Sequence, residues 1–185
     1  MDLSTVLQRL AGALHYAAHQ HRNQRRKGEE GLPYINHPIT LLHILAVEAG
    51  VTDPDILCAA VLHDVIEDCA ETPAERNARA AEIGSQFGAA VLSLVQEVTD
   101  DKDLSKAERK RKQVEHAAHL SHGAKLVKLA DKTANLRDVA VCPPADWSLD
   151  RRREYFDWAH EVVAAIGPAH AKLRPLFDEA FAARP

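Results

Sequence analysis

Residues 59–72 read "AAVLHDVIEDCAET". An apolar run, Ala59 to Leu62, gives way to His63 and Asp64, then to two further apolar residues, then to Glu67 and Asp68. The run closes a longer segment, "TDPDILCAAVLHDVIED" (52–68), with Asp53 placed as an N-cap and Pro54 just inside it. The segment predicts one helix running through Asp68. On such a helix Asp64 and Glu67 are three apart, and the pairs His63/Glu67 and Asp64/Asp68 are four apart, so all four share a face. Unpaired acids this close repel one another and resist burial. A divalent cation would remove the conflict. The plainer alternative is an acidic helix end in water, but acids there meet the negative end of the helix dipole.

Helical spacing extends outward from this stretch in both directions. Leu3, Val6, Leu7, Leu10, Leu14 and Ala17 mark one face of a helix ending near His21. "NHPITLLHILAVEAG" (36–50) predicts a helix opening at Pro38 and closing at Gly50. Further helices are predicted over 73–87, 88–100, 105–120, 123–141 and 148–166, and a last one after Pro168. No alternating run marks a strand, so the expected fold is all-α, a compact helical bundle, with 1–185 as a single domain. The loop candidates are "NQRRKGEEGLPYI" (23–35), the turn from Cys69 to Pro73, and "CPPADWS" (142–148).

Bulk composition limits the function classes. Of the 185 residues 46% are hydrophobic and 27% charged, the balance of a soluble globular protein. A net charge of -4 argues against a nucleic-acid polymer as partner. No apolar stretch approaches the roughly 20 residues that span a membrane, and the N-terminus carries Asp2 without a basic leader region. The three cysteines are odd in number and form no C-x-x-C pair, which suits reduced thiols in a cytoplasmic protein.

Two distant residues complete a pattern with His63 and Asp64. His37, in "INHP", stands just before a helix start, and Asp131 sits within the apolar stretch of "LADKTANLRD". Alone, each has an ordinary reading: a structural histidine, and a partner for a nearby Lys or Arg. Together His37, His63, Asp64 and Asp131 make a two-His, two-Asp set drawn from three helices. Mixed nitrogen and oxygen donors suit Mn²⁺, Fe²⁺ or Zn²⁺ better than Ca²⁺ or Mg²⁺. Such an ion would lower the pKa of a water and polarise a phosphoryl group. Glu67 and Asp68, one turn beyond, would orient or deprotonate that water.

The H…HD…D order of these residues resembles the HD-domain metal-dependent phosphohydrolases. The blocks "HRNQRRKGEEGLPYINHP", "AAVLHDVIED", "LVQEVTDDKDLSKAERKRKQVE", "GAKLVKLADKTANLRD" and "REYFDWA" sharpen the likeness. They resemble the hydrolase domain of the RelA/SpoT homologues, and most of all the stand-alone small alarmone hydrolases of the metazoan SpoT-homologue type. The resemblance spans about residues 5 to 180. It implies one Mn²⁺ ion and hydrolysis of the 3′-diphosphate of guanosine tetra- and pentaphosphate, (p)ppGpp, to GDP or GTP plus pyrophosphate. The implied metal ligands are His37, His63, Asp64 and Asp131, and the implied catalytic pair is Glu67 and Asp68. Asn135 matches a residue at the ribose, Arg26 and Lys27 match residues packed on the guanine, and Lys106, Arg151 and Tyr155 match positions near the phosphates and nucleotide.

An anionic nucleotide needs local cations on this acidic chain. Arg22, Arg25, Arg26 and Lys27 form one basic loop just ahead of His37. "KAERKRK" (106–112) and "RRR" (151–153) are two further candidates; most of the former is expected to be a solvated face, and Tyr155 by itself reads more often as a core aromatic than as a ligand contact. Two features depart from the family pattern. Thr133-Ala134 replaces a bulky residue followed by an aromatic or His, which would widen the pocket beside Asp131. "AETPAERNARAAEIG" (70–84) is longer than usual and would either reshape the rim or lengthen a surface helix. The Thr133-Ala134 change motivates an alternative, a related phosphohydrolase such as an NADPH 2′-phosphatase. A non-catalytic nucleotide sensor is a further alternative, opposed by the intact Glu67-Asp68 pair. The synthetase and regulatory domains of long relatives are not expected in this chain, so the expected activity is degradation alone.

Overall fold

The computed structural model describes residues 2–28 and 31–185. Its helices are α1 (Leu3–Gln20), α2 (Asn36–His43), α3 (Pro54–Leu62), α4 (Val65–Asp68), α5 (Pro73–Phe87), α6 (Ala89–Val98), α7 (Lys106–Ala117), α8 (His122–Val141), α9 (Leu149–Ile166) and α10 (Leu173–Ala182). No β-strand occurs among the described residues, only two isolated bridges, so the fold is all-α. None of the helices is long and apolar enough to cross a membrane, among the described residues.

Local sequence explains most helix starts. The Asp53 side chain accepts from the Asp55 amide at the head of α3, with Pro54 in the first turn. Thr72/Glu75 and Ser105/Glu108 form capping boxes on α5 and α7. Ser121 and Ser148 cap α8 and α9 with the serine side chain alone, accepting from the Ala124 and Arg151 amides.

Two helices differ from expectation. α2 opens at Asn36, placing Pro38 inside the first turn, and then widens into a π-helical turn over Ile44–Glu48. Ala49 donates its amide to the Ile44 carbonyl, and the turn ends at Gly50, whose φ of +75° suits glycine. More consequential is the segment after Leu62. α3 stops there and α4 begins at Val65, so 52–68 is two helices. Asp64 sits at φ -94°, ψ -4°, in the sparsely populated bridge region where active-site residues often lie. A shared-face argument over one straight helix therefore does not hold across His63-Asp64.

α8 is the central helix. It is buried nearly all round, from Ala124 to Val139, and packs against α2, α3, α6, α9 and α10. α3 is buried from Ile56 to Leu62 and lies against α1, α2, α6 and α8. Leu41 of α2, Leu62 of α3 and Leu129 of α8 are all essentially inaccessible. Burial of each such side chain contributes about 1.5–3 kcal/mol. The helices that carry His37 and Asp131, and the end of α3 from which His63 follows, are thereby held against one another.

The basic loop after α1 lies over the C-terminal end of α8. Bridges Arg25↔Pro33 and Gly28↔Pro144 fix it at two points. Gly28 is needed there: an added Cβ would stand 2.9 Å from Cys142 Sγ and 3.0 Å from its carbonyl oxygen. Residues 29 and 30 of this loop lie outside the described residues. The longer 70–84 segment enters α5, a surface helix that buries only Ile83 and Phe87.

Candidate metal centre

His37 opens α2, His63 follows α3, and Asp131 stands at the middle of α8. Each offers a ligand atom, and these atoms all lie within 4.8 Å of one another. His37 Nε2 is 3.3 Å and His63 Nε2 4.0 Å from Asp131 Oδ1. Asp64 adjoins the group through Oδ2, 2.9 Å from His63 Nε2 and 3.8 Å from His37 Nε2. All four proposed ligands thus meet at one place, with His37, His63 and Asp131 forming the tight group.

The donor chemistry fits a cation. His63 Nδ1 lies 2.8 Å from the Ala60 carbonyl, which can only accept, so Nδ1 carries the proton in the neutral ring. The lone pair then sits on Nε2, which is buried without a hydrogen-bond partner and faces two carboxylates. An imidazole anchored by a backbone carbonyl through its far nitrogen is the usual arrangement of a metal-binding histidine. Burial opposes charge on His63, yet Asp64 and Asp131 push its pKa up to about 9. Burial likewise opposes charge on Asp131, while Lys132 and His37 hold it well below the usual carboxylate range. The cluster demands positive charge, which a divalent ion supplies to all members at once.

Glu67 and Asp68 stand beside this group. The Asp100 amide donates to Glu67 Oε2 at 2.9 Å. Lys102 Nζ donates to Asp68 Oδ1 at 2.6 Å and lies 3.5 Å from Glu67 Oε1. Burial, followed by the Asp100 charge, pushes the Glu67 carboxyl up to about 7. The Tyr34 hydroxyl lies 2.7 Å from Asp64 Oδ2 and 3.0 Å from Asp68 Oδ2. Tyr34, Asp100 and Lys102 escaped the reading of the sequence. Tyr34, three residues before His37 in a block already marked, carried the one available signal; Asp100 and Lys102 lie in a loop without periodicity.

The centre opens into a cleft of about 600 Å³ whose lining includes Arg26, Lys27, Asn135, Tyr155 and Asp138. An adjoining cleft of about 350 Å³ is lined by Lys27, Glu67, Lys106, Lys110, Arg151 and Tyr155, among others. All six expected substrate contacts face one or both. Asn135 joins cleft to centre: its amide donates to Asp131 Oδ1 at 2.5 Å and its oxygen accepts from Arg26 at 2.9 Å.

Several expectations change. In "KAERKRK", Lys106, Arg109 and Lys110 turn to the second cleft, because three- and four-residue spacing puts them on one face. Only Arg151 of Arg151–Arg153 lines it; Arg152 bonds the Trp147 carbonyl and Arg153 the Pro185 carbonyl. Tyr155 is a wall of both clefts, set between Trp147 and Trp158 at 5.2 and 5.4 Å. Thr133 and Ala134 are both fully buried and line neither cleft, with the Thr133 hydroxyl spent on the Leu129 carbonyl. They face the core and do not widen the pocket.

A family profile described as HD domain matches residues 13–157. The chain is 52% identical to the zebrafish (Danio rerio) guanosine-3′,5′-bis(diphosphate) 3′-pyrophosphohydrolase MESH1 over 92% of this chain and 93% of that one. It is 51% identical to the human protein of the same description, over 95% and 94%. The bifunctional (p)ppGpp synthase/hydrolase SpoT of Escherichia coli is 34% identical over 90% of this chain but only 22% of its own length. Among solved structures, a metazoan orthologue of SpoT, described as hydrolysing ppGpp and acting in starvation responses, superposes with a TM-score of 0.88. It is 46% identical and covers 95% of each chain.

Proposed function

The chain belongs to the HD-domain family, and from that premise we propose that it is a Mn²⁺-dependent (p)ppGpp 3′-pyrophosphohydrolase. The observation that carries this reading is the convergence of His37, His63 and Asp131, with Asp64 alongside, next to clefts lined by Arg26, Lys27, Lys106 and Arg151. The high identity to pyrophosphohydrolases over nearly the whole chain supports it.

In this reading His37, His63, Asp64 and Asp131 hold the ion. When bound, Mn²⁺ supplies Lewis acidity at the 3′-phosphoryl group and a lowered water pKa. The protein's own groups do the rest. Glu67, with a carboxyl titrating near 7, accepts a proton from the attacking water at neutral pH. Asp68, fixed by Lys102 and Tyr34, orients that water. Lys27, Lys106 and Arg151 offset the charge of the diphosphates, and Arg suits the task through its planar fork. Arg26 presents its guanidinium to the base while Asp138 and Asn135 hold it from behind. Asn135 meets the ribose. Water attacks the 3′-phosphoryl phosphorus, the ribose 3′-oxygen leaves and takes up a proton, and pyrophosphate departs.

The test is direct. Purified protein loaded with Mn²⁺ and mixed with ppGpp should yield GDP and pyrophosphate in equal amounts. Release of orthophosphate alone, or no turnover, would remove the assignment.

A further inference from the structure

Tyr34 precedes α2 by two residues and is held from several sides. Its ring stacks on His21 with centroids 4.8 Å apart and meets His37 edge-on at 6.0 Å. The Arg26 guanidinium lies 5.6 Å from its centroid. Its amide donates to the Gln24 carbonyl, and its own carbonyl accepts from the His37 amide, both at 3.0 Å. The Gln24 side chain in turn donates to the Asp68 carbonyl and lies 2.6 Å from His21 Nδ1. Ring and backbone are therefore fixed, and only the hydroxyl hydrogen is free to turn.

That hydroxyl has one proton and two carboxylate neighbours, Asp64 Oδ2 at 2.7 Å and Asp68 Oδ2 at 3.0 Å. It can donate along a good line to only one of them at a time. The shorter contact marks Asp64 as the acceptor here. The same atom thereby sets the direction of the Asp64 carboxylate toward the two imidazoles and the distance from Asp64 to Asp68. We propose that Tyr34 is a positioning residue that aims Asp64 at the metal and spaces Asp68 from it through a single hydroxyl. This rests on the metal-site part of the functional reading but not on the identity of the nucleotide.

The test compares Tyr34→Phe, which keeps the ring and loses the hydroxyl, with the parent protein. Circular dichroism establishes folding first; Tyr34→Leu, which likewise carries no donor, gives the same comparison should the Phe variant not fold. Mn²⁺ is titrated calorimetrically into chelator-stripped protein, with no nucleotide present. Loss of an outer partner of a metal ligand typically weakens metal binding by about 10–100-fold, and the expected weakening here is about tenfold. With saturating Mn²⁺, kcat on ppGpp should fall about tenfold or more while KM stays within about twofold. Unchanged Mn²⁺ affinity overturns the proposal whatever the activity does. Weakened binding with unchanged kcat at saturating Mn²⁺ overturns the link to Asp68. A parent protein that takes up no divalent metal overturns both this inference and the metal site beneath it. Normal uptake without ppGpp turnover removes only the substrate assignment.

Discussion

The Asn135 amide donates to Asp131 Oδ1 at 2.5 Å, and that same oxygen lies 3.3 Å from His37 Nε2. The two residues stand one turn apart on α8, so helix geometry makes the pair, and the pair ties the larger cleft to the candidate metal group. Asn135→Ala is expected to weaken Mn²⁺ binding by about tenfold as well as raising KM for ppGpp. Metal titration and steady-state kinetics on one preparation check it. A raised KM with untouched metal affinity would restrict Asn135 to the nucleotide.

Glu67 gives the chelator-treated protein a pH dependence whose sign follows from its environment. Its carboxyl is raised from 4.5 to about 7, chiefly by burial. Below 4.5 both the folded and unfolded chains hold the proton, and the contribution to stability is fully present. As pH rises toward 7 the unfolded chain releases its proton first, so stability is lost through that window. The loss amounts to about 3 kcal/mol. Glu67→Gln, which cannot ionise, should become more stable relative to the parent between pH 4.5 and 7. Parallel denaturation midpoints for the two proteins across that range would contradict this.

Gly28→Ala should misplace the basic loop. The new methyl would meet the Cys142 sulfur at 2.9 Å and its carbonyl oxygen at 3.0 Å, and the backbone oxygen cannot turn aside. Overpacking of this kind costs about 1–3 kcal/mol. Because Arg26 and Lys27 precede Gly28 directly, the expected kinetic signature is a KM raised several-fold with kcat much less affected. Thermal melting and ppGpp kinetics together check it; an unchanged KM would show that the loop does not seat the nucleotide.

Metal removal should cost stability as well as activity. An ion that binds only the folded chain stabilises it by about 2.7 kcal/mol at a concentration one hundred times its Kd. Chelation should lower Tm and return of Mn²⁺ should restore it, whereas in an Asp131→Asn protein Tm should hardly respond to Mn²⁺. An Asp131→Asn protein that still gains stability from Mn²⁺ would place the ion elsewhere.

Much of the molecule is legible in its sequence. The apolar spacing of 3–17, the Thr72-Pro73 start of α5 and the Ser105 and Ser148 caps are written within a few residues of where they act, and those helices lie close to where the sequence predicts them. That His37, His63, Asp64 and Asp131 are candidates is legible because each is a chemically distinctive residue in an apolar or helix-boundary setting. Lys102 and Asp100 were not: their role depends on a loop after α6 folding back onto α4, and nothing in "TDDKDLS" encodes a direction. Thr133 and Ala134 were read toward the pocket because they adjoin Asp131 in sequence. On α8 Thr133, two residues from Asp131, turns onto another face, and the short Ala134, one turn on from Asp131, is fully buried in the packing around the helix.

By itself the sequence determined that the chain is helical, where most helices start, and which residue types are available for metal and phosphate chemistry. Periodicity and capping act between residues no more than about four apart, and so can be read from a string. Only the tertiary structure decided that the helix breaks at His63-Asp64, that Tyr34 reaches two carboxylates with one hydroxyl, and which cations of α7 turn inward. Those outcomes depend on how α2, α3, α7 and α8 pack across long sequence separations, where the favourable burial of one face selects among orientations that local sequence leaves equal.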